Sequence, residues 1–194
     1  LNYVAVKEAV LPFDRLPGSD TVLTPEMRST GEVMGIADNF EAAFFKSQIS
    51  TGMLFPKSGN VFLSIRNEDK TKEMGAACKI LKKIGFKIIA TKGTKSFLDK
   101  EGVDSQLVKK VFEGRPNIAD LLKDKKINIV MNTTQGKQSI EDSKDIRSLA
   151  LNNKIPYYTT ARGIIAIINS LKENMSGKIS VKAIQEYHAQ VITD

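Results

Sequence analysis

From Asn60 to Asn174 the chain alternates between two hydrophobic periods, and this alternation limits the fold more than any other feature. "NVFLSI" reads as a buried strand, and "EDKTKEMGAACKILKKIG" as an amphipathic helix stopped at Gly85. "FKIIAT" is the next strand, followed by a short helix "KSFLDKEG" stopped at Gly102. "QLVKKV" reads as a brief third strand, and Asn117 as the cap of a helix over "NIADLLKDK". "INIVMN" is a strong strand before the helix "SIEDSKDIRSLALNN", and "IPYYTT" a last strand before the long helix "ARGIIAIINSLKEN". Beyond Gly177, "ISVKAIQEYHAQ" fits a strand fragment or a short helix. Strands that are apolar throughout must be covered on both faces, and the intervening helices supply the cover. The pattern predicts an α/β fold built on a doubly wound parallel sheet of about five strands.

The first fifty or so residues follow another rule. "VAVKEAVLPF" alternates like a strand, "DRLPGSDTVLTPEMRSTGEV" is rich in turn residues, and "NFEAAFFKSQIS" has helical spacing. Phe40, Ala43, Phe44 and Ser47 share one side of that helix, and "STGMLFPKSGN" has linker composition. The chain opens in apparent strand, which suggests the tail of a larger domain. The expected division is residues 1–53 as that tail and 54–194 as the α/β domain.

A formal charge of +7 favours an anionic ligand. The lysines are dispersed, tryptophan is absent and no aromatic single-strand motif occurs, so nucleic acid is not the expected partner. Cys78 and His188 are the only residues of their kinds, which excludes an internal disulfide and offers too little for a structural zinc site or a Cys–His nucleophile pair; no metal site is expected. Cys78 is expected in the core and His188 on a helix surface. "RGIIAIINS" is too short to span a bilayer, and no signal peptide is evident. A soluble, cytoplasmic protein without a membrane partner is expected.

In open parallel sheets, ligands sit outside the carboxyl ends of the strands. Those ends carry Ser64, Arg66 and Asp69-Lys70; Thr91, Gly93 and Thr94; Lys109 and Lys110; Asn132, Thr133 and Thr134; and Thr159 and Thr160. Threonine hydroxyls donate to phosphate oxygens, glycine admits close backbone approach, and lysines add charge. The turn "ATKGT" therefore reads as an anion site, with phosphate as the expected ligand. No nucleoside-triphosphate loop or dinucleotide fingerprint occurs, and no catalytic constellation stands out. Glu141 and Asp142 open a helix, where carboxylates complement the dipole.

The motifs "VKEAVLPF", "LTPEMRSTGEVMG", "ATKGT", "VFEGRPNIADLL", "NIVMNTT" and "SIEDSKDIRSLAL" together resemble the C-terminal end of the carbamoyl-phosphate synthase large chain family. The resemblance spans nearly the whole chain. It implies that residues 1–53 end the second ATP-grasp unit, an incomplete fragment here, and that 54–194 form a methylglyoxal-synthase-like regulatory domain. It further implies a UMP- or IMP-like nucleotide effector. In the parent enzyme, ATP- and glutamine-dependent synthesis of carbamoyl phosphate would serve pyrimidine and arginine formation. ATP and magnesium or manganese would bind upstream, so this segment alone would carry no cofactor and no catalytic residue. Partners would be the rest of the large chain, the glutaminase small subunit, the effector and further copies of the protein.

Carried over by position, Lys70, Thr91, Gly93, Thr94, Lys110, Asn132, Thr133 and Thr134 match the family's effector pattern. Tyr157, Thr159 and Thr160 match a secondary, ornithine-side pattern. Relatives commonly read Thr-His-Gly-Thr where this chain has Thr91-Lys92-Gly93-Thr94. Tyr158 stands where ornithine-sensitive relatives carry an aspartate, and its hydroxyl cannot supply that charge, which puts ornithine activation in question. Two other readings remain open at this level. One is a methylglyoxal-synthase-type lyase acting on a triose phosphate, although Arg115-Pro116 replaces that enzyme's acidic motif. The other is an oligomerisation module without an effector.

Overall fold

The computed structural model describes residues 2–10, 31–134, 143–174 and 179–192. Most of the turn-rich segment after "VAVKEAVLPF", the Glu141-Asp142 pair and Gly177 lie outside them. Five parallel strands form the main sheet: β3 (Gly59–Ser64), β4 (Phe86–Ala90), β5 (Gln106–Leu107), β6 (Ile129–Asn132) and β7 (Tyr157–Tyr158). Their order is β5-β4-β3-β6-β7, so the chain winds outward from β3 in one direction and then returns to its other side. The α/β fold with a five-stranded parallel sheet expected from the alternating pattern is present.

Period-two alternation divides the core into two layers. Val61, Leu63, Ile88, Ala90, Ile129 and Met131 face one side, where α2 (Lys72–Lys83) and α6 (Ala161–Asn174) pack over them. Phe62, Ile89 and Val130 face the other, beneath α4 (Ile118–Lys123) and α5 (Lys144–Asn152). Cys78 lies wholly buried in the first layer, and this burial pushes its thiol pKa up to about 12. It is a core residue.

Several boundaries differ from the sequence reading. The helix after β4, α3 (Lys92–Lys100), begins three residues earlier than "KSFLDKEG", so Lys92, Gly93 and Thr94 form its first turn. The expected strand "QLVKKV" is cut to Gln106–Leu107. This edge segment exposes Gln106, Leu107, Lys109 and Lys110, and has no second apolar face to bury. The chain leaves the sheet through a single bridge from Lys109 to Asn117 and a 3₁₀ turn at Val111–Glu113. The helix read from "EDKTKEMG" splits into a 3₁₀ turn, Asn67–Asp69, and α2, because the Thr71 hydroxyl accepts from the Met74 N–H and restarts the chain as an N-cap. The C-terminal segment is a helix, α7 (Ile184–Ile192), with His188 on its exposed side.

The N-terminal residues form an antiparallel ribbon, β1 (Val4–Val10) with β2 (Gly31–Ala37), backed by α1 (Phe40–Ser50). α1 buries Ala43 and Ser47, as its spacing predicts, but Phe40 is exposed and stacks on Phe44. Helix and ribbon meet at Gly35, where a Cβ would lie 2.0 Å from the Ala43 carbonyl oxygen. α1 also lies against α6, which joins the ribbon to the parallel sheet. Among the described residues, no helix is long and apolar enough to cross a membrane.

Candidate functional site

The strand order reverses between β3 and β6, and a cavity of about 560 Å³ lies beyond the carboxyl ends of the strands. Crevices at such switch points are where open parallel sheets bind ligands. Seven of the eight residues read as the main site line it: Lys70, Thr91, Gly93, Thr94, Lys110, Asn132 and Thr133. Thr134 follows directly in sequence but is not part of the wall. Tyr157 is outside the wall, and its hydroxyl accepts from Asn132 Nδ2 at 3.1 Å. Thr160 caps α6 by accepting from the Gly163 N–H at 3.1 Å, and Thr159 is exposed outside the wall.

The threonines have a structural task here that periodicity does not reveal. Just beyond β3, the N–H of Ile65 donates to Thr94 Oγ1 at 2.8 Å and that of Arg66 to Thr133 Oγ1 at 2.9 Å. Two buried hydroxyls from flanking strand ends thus replace the ladder partners that β3 loses as it leaves the sheet. Thr91 Oγ1 lies 3.3 Å from Thr94 Oγ1 and 3.4 Å from Ser64 Oγ, which closes a hydroxyl cluster beneath the cavity floor. Asn132 is held from the other side, its Nδ2 donating to Ser143 Oγ at 3.1 Å.

Charge collects above that floor. Arg66 is paired with Asp69 at 2.7 Å. Lys70 instead directs its ammonium to the neutral Asn67 amide oxygen at 2.7 Å and passes over Gly93, where a Cβ would sit 3.4 Å from Nζ. Burial, and then the like charge of Lys110, lower the Lys70 pKa, with Glu68 opposing more weakly. Thr91 enters α3 in extended conformation without a side-chain cap, so the first turn of a nine-residue helix presents its N–H groups at the cavity. Two mutually repelling lysines beside a positive helix end make this a place where an anion lowers the energy.

The lining also includes apolar residues: the buried Phe62, Ile118 and Ile146, the partly buried Val111 and the exposed Phe112. Asn67, Phe112, Glu113 and Ser143 are wall residues that the sequence reading misses. The run "VFEGRP" after Lys110 carries a signal for Phe112 and Glu113, since an apolar residue beside a tight glycine turn has no core to enter. Nothing local marks Ser143. Tyr158 belongs elsewhere: its hydroxyl donates to Gln48 Oε1 on α1 at 2.9 Å, away from the cavity. Its pKa is raised, first by burial and then by Glu8.

Residues 73–159 match the model of the MGS-like domain. The chain is 47% identical over 188 residues to the carbamoyl phosphate synthase large chain of Mesorhizobium japonicum, covering 97% of this chain and 16% of that protein. The large chain of Methanobrevibacter smithii is 45% identical over 187 residues, 96% of this chain and 17% of its own length. That of Archaeoglobus fulgidus is 42% identical over 190 residues, 98% of this chain and 18% of its own. The chain thus spans about a sixth of the length of the curated relatives it matches. Residues 73–159 belong to the MGS-like domain family, within a chain homologous along nearly all its length to a segment of carbamoyl phosphate synthase large chains.

Proposed function

We propose that this chain is the allosteric segment of a cytoplasmic carbamoyl phosphate synthase large chain, and that its cavity binds a nucleoside monophosphate effector. Residues 54–194 would form the regulatory domain and 1–53 the tail of the second ATP-grasp unit. The rest of the large chain and the glutaminase subunit would be its partners, and ligase chemistry would occur outside this segment. The observation that carries the effector reading is the Lys70–Lys110 pair over the start of α3, whose mutual repulsion a phosphate dianion would relieve. The names of the relatives support the parent activity.

A lyase reading has less support. It needs a carboxylate free to take a proton, whereas Asp120 beyond the third strand accepts from Arg115 and from the Asn117 N–H. These bonds, the Arg115 one foremost, hold its carboxyl below the usual range.

Calorimetric titration of the chain with UMP and IMP, at low and high salt, tests the effector reading. Saturable binding that weakens with salt is expected, with a loss of about tenfold or more in Lys70→Met, since hydrogen bonds to charged groups contribute about 1.5–3 kcal/mol. A bound anion favours protonated Lys70. Affinity should therefore be steady between the phosphate's own second pKa, about 6, and the lowered Lys70 pKa, and fall as pH rises through the latter, earlier than for an ordinary lysine at 10.5. No binding of either nucleotide at low salt would overturn the effector reading.

A further inference from the structure

The cavity lining is of two kinds. Inorganic phosphate or a sugar phosphate would use only the lysines and the start of α3, leaving Phe112 against water. A ligand that uses both carries a phosphate and a group that can cover a phenyl ring. Phe112 lines the cavity and is 73% exposed, whereas its neighbour Val111 packs against the second core layer and Phe62, Ile118 and Ile146 are buried in it. An exposed phenyl ring on a loop is a hydration cost that the fold itself does not require.

The backbone under that ring is fixed. The Glu113 N–H donates to the Lys110 carbonyl at 3.1 Å, and the Lys110 N–H donates to the Glu113 carboxylate at 2.9 Å. Asn117 Nδ2 donates to the Val111 carbonyl at 3.2 Å. Phe112 is therefore held in place, with its position tied to that of Lys110 two residues away. A cation for the phosphate and an aromatic face for the base come from one short turn.

We propose that Phe112 is the base-stacking platform of this cavity and that it gives the site a preference for purine over pyrimidine nucleotides. The assignment rests on the effector reading above and deepens it. Stacking needs only a π face, so it is tolerant of base identity, but the larger bicyclic ring of a purine covers more of the phenyl ring.

The test is calorimetric titration of the chain and of Phe112→Leu with IMP, UMP and ribose 5-phosphate. The unsubstituted chain should bind IMP more tightly than UMP, and UMP more tightly than ribose 5-phosphate. Phe112→Leu should lose about fivefold or more for IMP and leave ribose 5-phosphate unchanged. The sequence has no tryptophan, so Phe112→Trp supplies a lone tryptophan, excited selectively over the tyrosines, whose emission IMP should quench and ribose 5-phosphate should not. Unchanged IMP affinity in Phe112→Leu, or equal losses for IMP and ribose 5-phosphate, would overturn the stacking role and leave the effector reading standing. Failure of the unsubstituted chain to bind any of the three would overturn both.

Discussion

Thr94 reads from sequence as a phosphate donor, and in the structure its hydroxyl already accepts from the Ile65 N–H. A hydroxyl has one donor and two acceptor positions, and the Thr94 proton is directed at the Ile65 carbonyl at 3.5 Å, so it must turn from that long bond to reach a ligand. The residue thus shapes the floor as well as facing the cavity. Thr94→Val should destabilise the chain by about 1–3 kcal/mol in denaturant unfolding, because it leaves a buried N–H unpaired. Thr94→Ser should recover most of that loss. Equal stability of Thr94→Val and the unsubstituted chain would show that Ile65 finds another acceptor. The strand-end threonines, asparagine and lysines are legible because each interrupts an apolar run at the carboxyl edge, where a buried strand gains nothing from polarity. Phe112 is less so, since apolarity alone does not distinguish a core residue from an exposed one and only the glycine turn beside it hints at exposure.

Among the elements, the N-terminal ribbon depends on one close approach. Any side chain at Gly35 would meet the backbone of α1, at Ala43 O and at Ser47 N, and backbone cannot turn aside as a flexible side chain can. Gly35→Ala should therefore cost more than the ordinary overpacking range of about 1–3 kcal/mol and appear as a large fall in melting temperature. Gly31→Ala, on the same strand with open space around its Cβ position, should leave the melting temperature nearly unchanged. If both substitutions behave alike, the docking of ribbon and helix is looser than this contact requires. Stop signals locate most helices correctly, but they place the start of α3 three residues late. The reason is that Thr91-Lys92-Gly93-Thr94 has the composition of a loop, and only the capture of Thr94 by the end of β3 winds it into helix.

Across the whole molecule, ribbon and sheet are joined by a polar relay, buried at Tyr158 and Gln48 and half-buried at Glu8. Tyr158 on β7 donates to Gln48 on α1, and Gln48 Nε2 donates to Glu8 on β1 at 2.9 Å. The adjacent Tyr157 contacts Asn132 in the cavity, so β7 connects to the candidate site through one residue and to the ribbon through the next. Burial raises the Glu8 pKa, and the Gln48 bond offsets this only in part. A carboxyl whose folded pKa is raised favours folding when protonated. That advantage is complete below its ordinary 4.5 and disappears as pH rises through the folded value. Glu8→Gln should therefore raise the melting temperature at pH 7, with the gain vanishing below the ordinary carboxyl range. A lower melting temperature at pH 7 would show that donation from Gln48 to a charged oxygen outweighs the burial.

Sequence alone determined the alternation of strand and helix, the parallel sheet that follows from it, and the edge of that sheet on which polar residues gather. These are consequences of period and of local stop signals, which each segment carries within itself. Only the tertiary structure decided that the cavity lies beyond the carboxyl ends of β3 and β6, that Lys70 and Lys110 both line it, and that Tyr158 turns toward Gln48 and Glu8. Those relations depend on strand order and on contacts between residues up to 110 positions apart, such as Gln48 with Tyr158, and no local pattern encodes such a pairing.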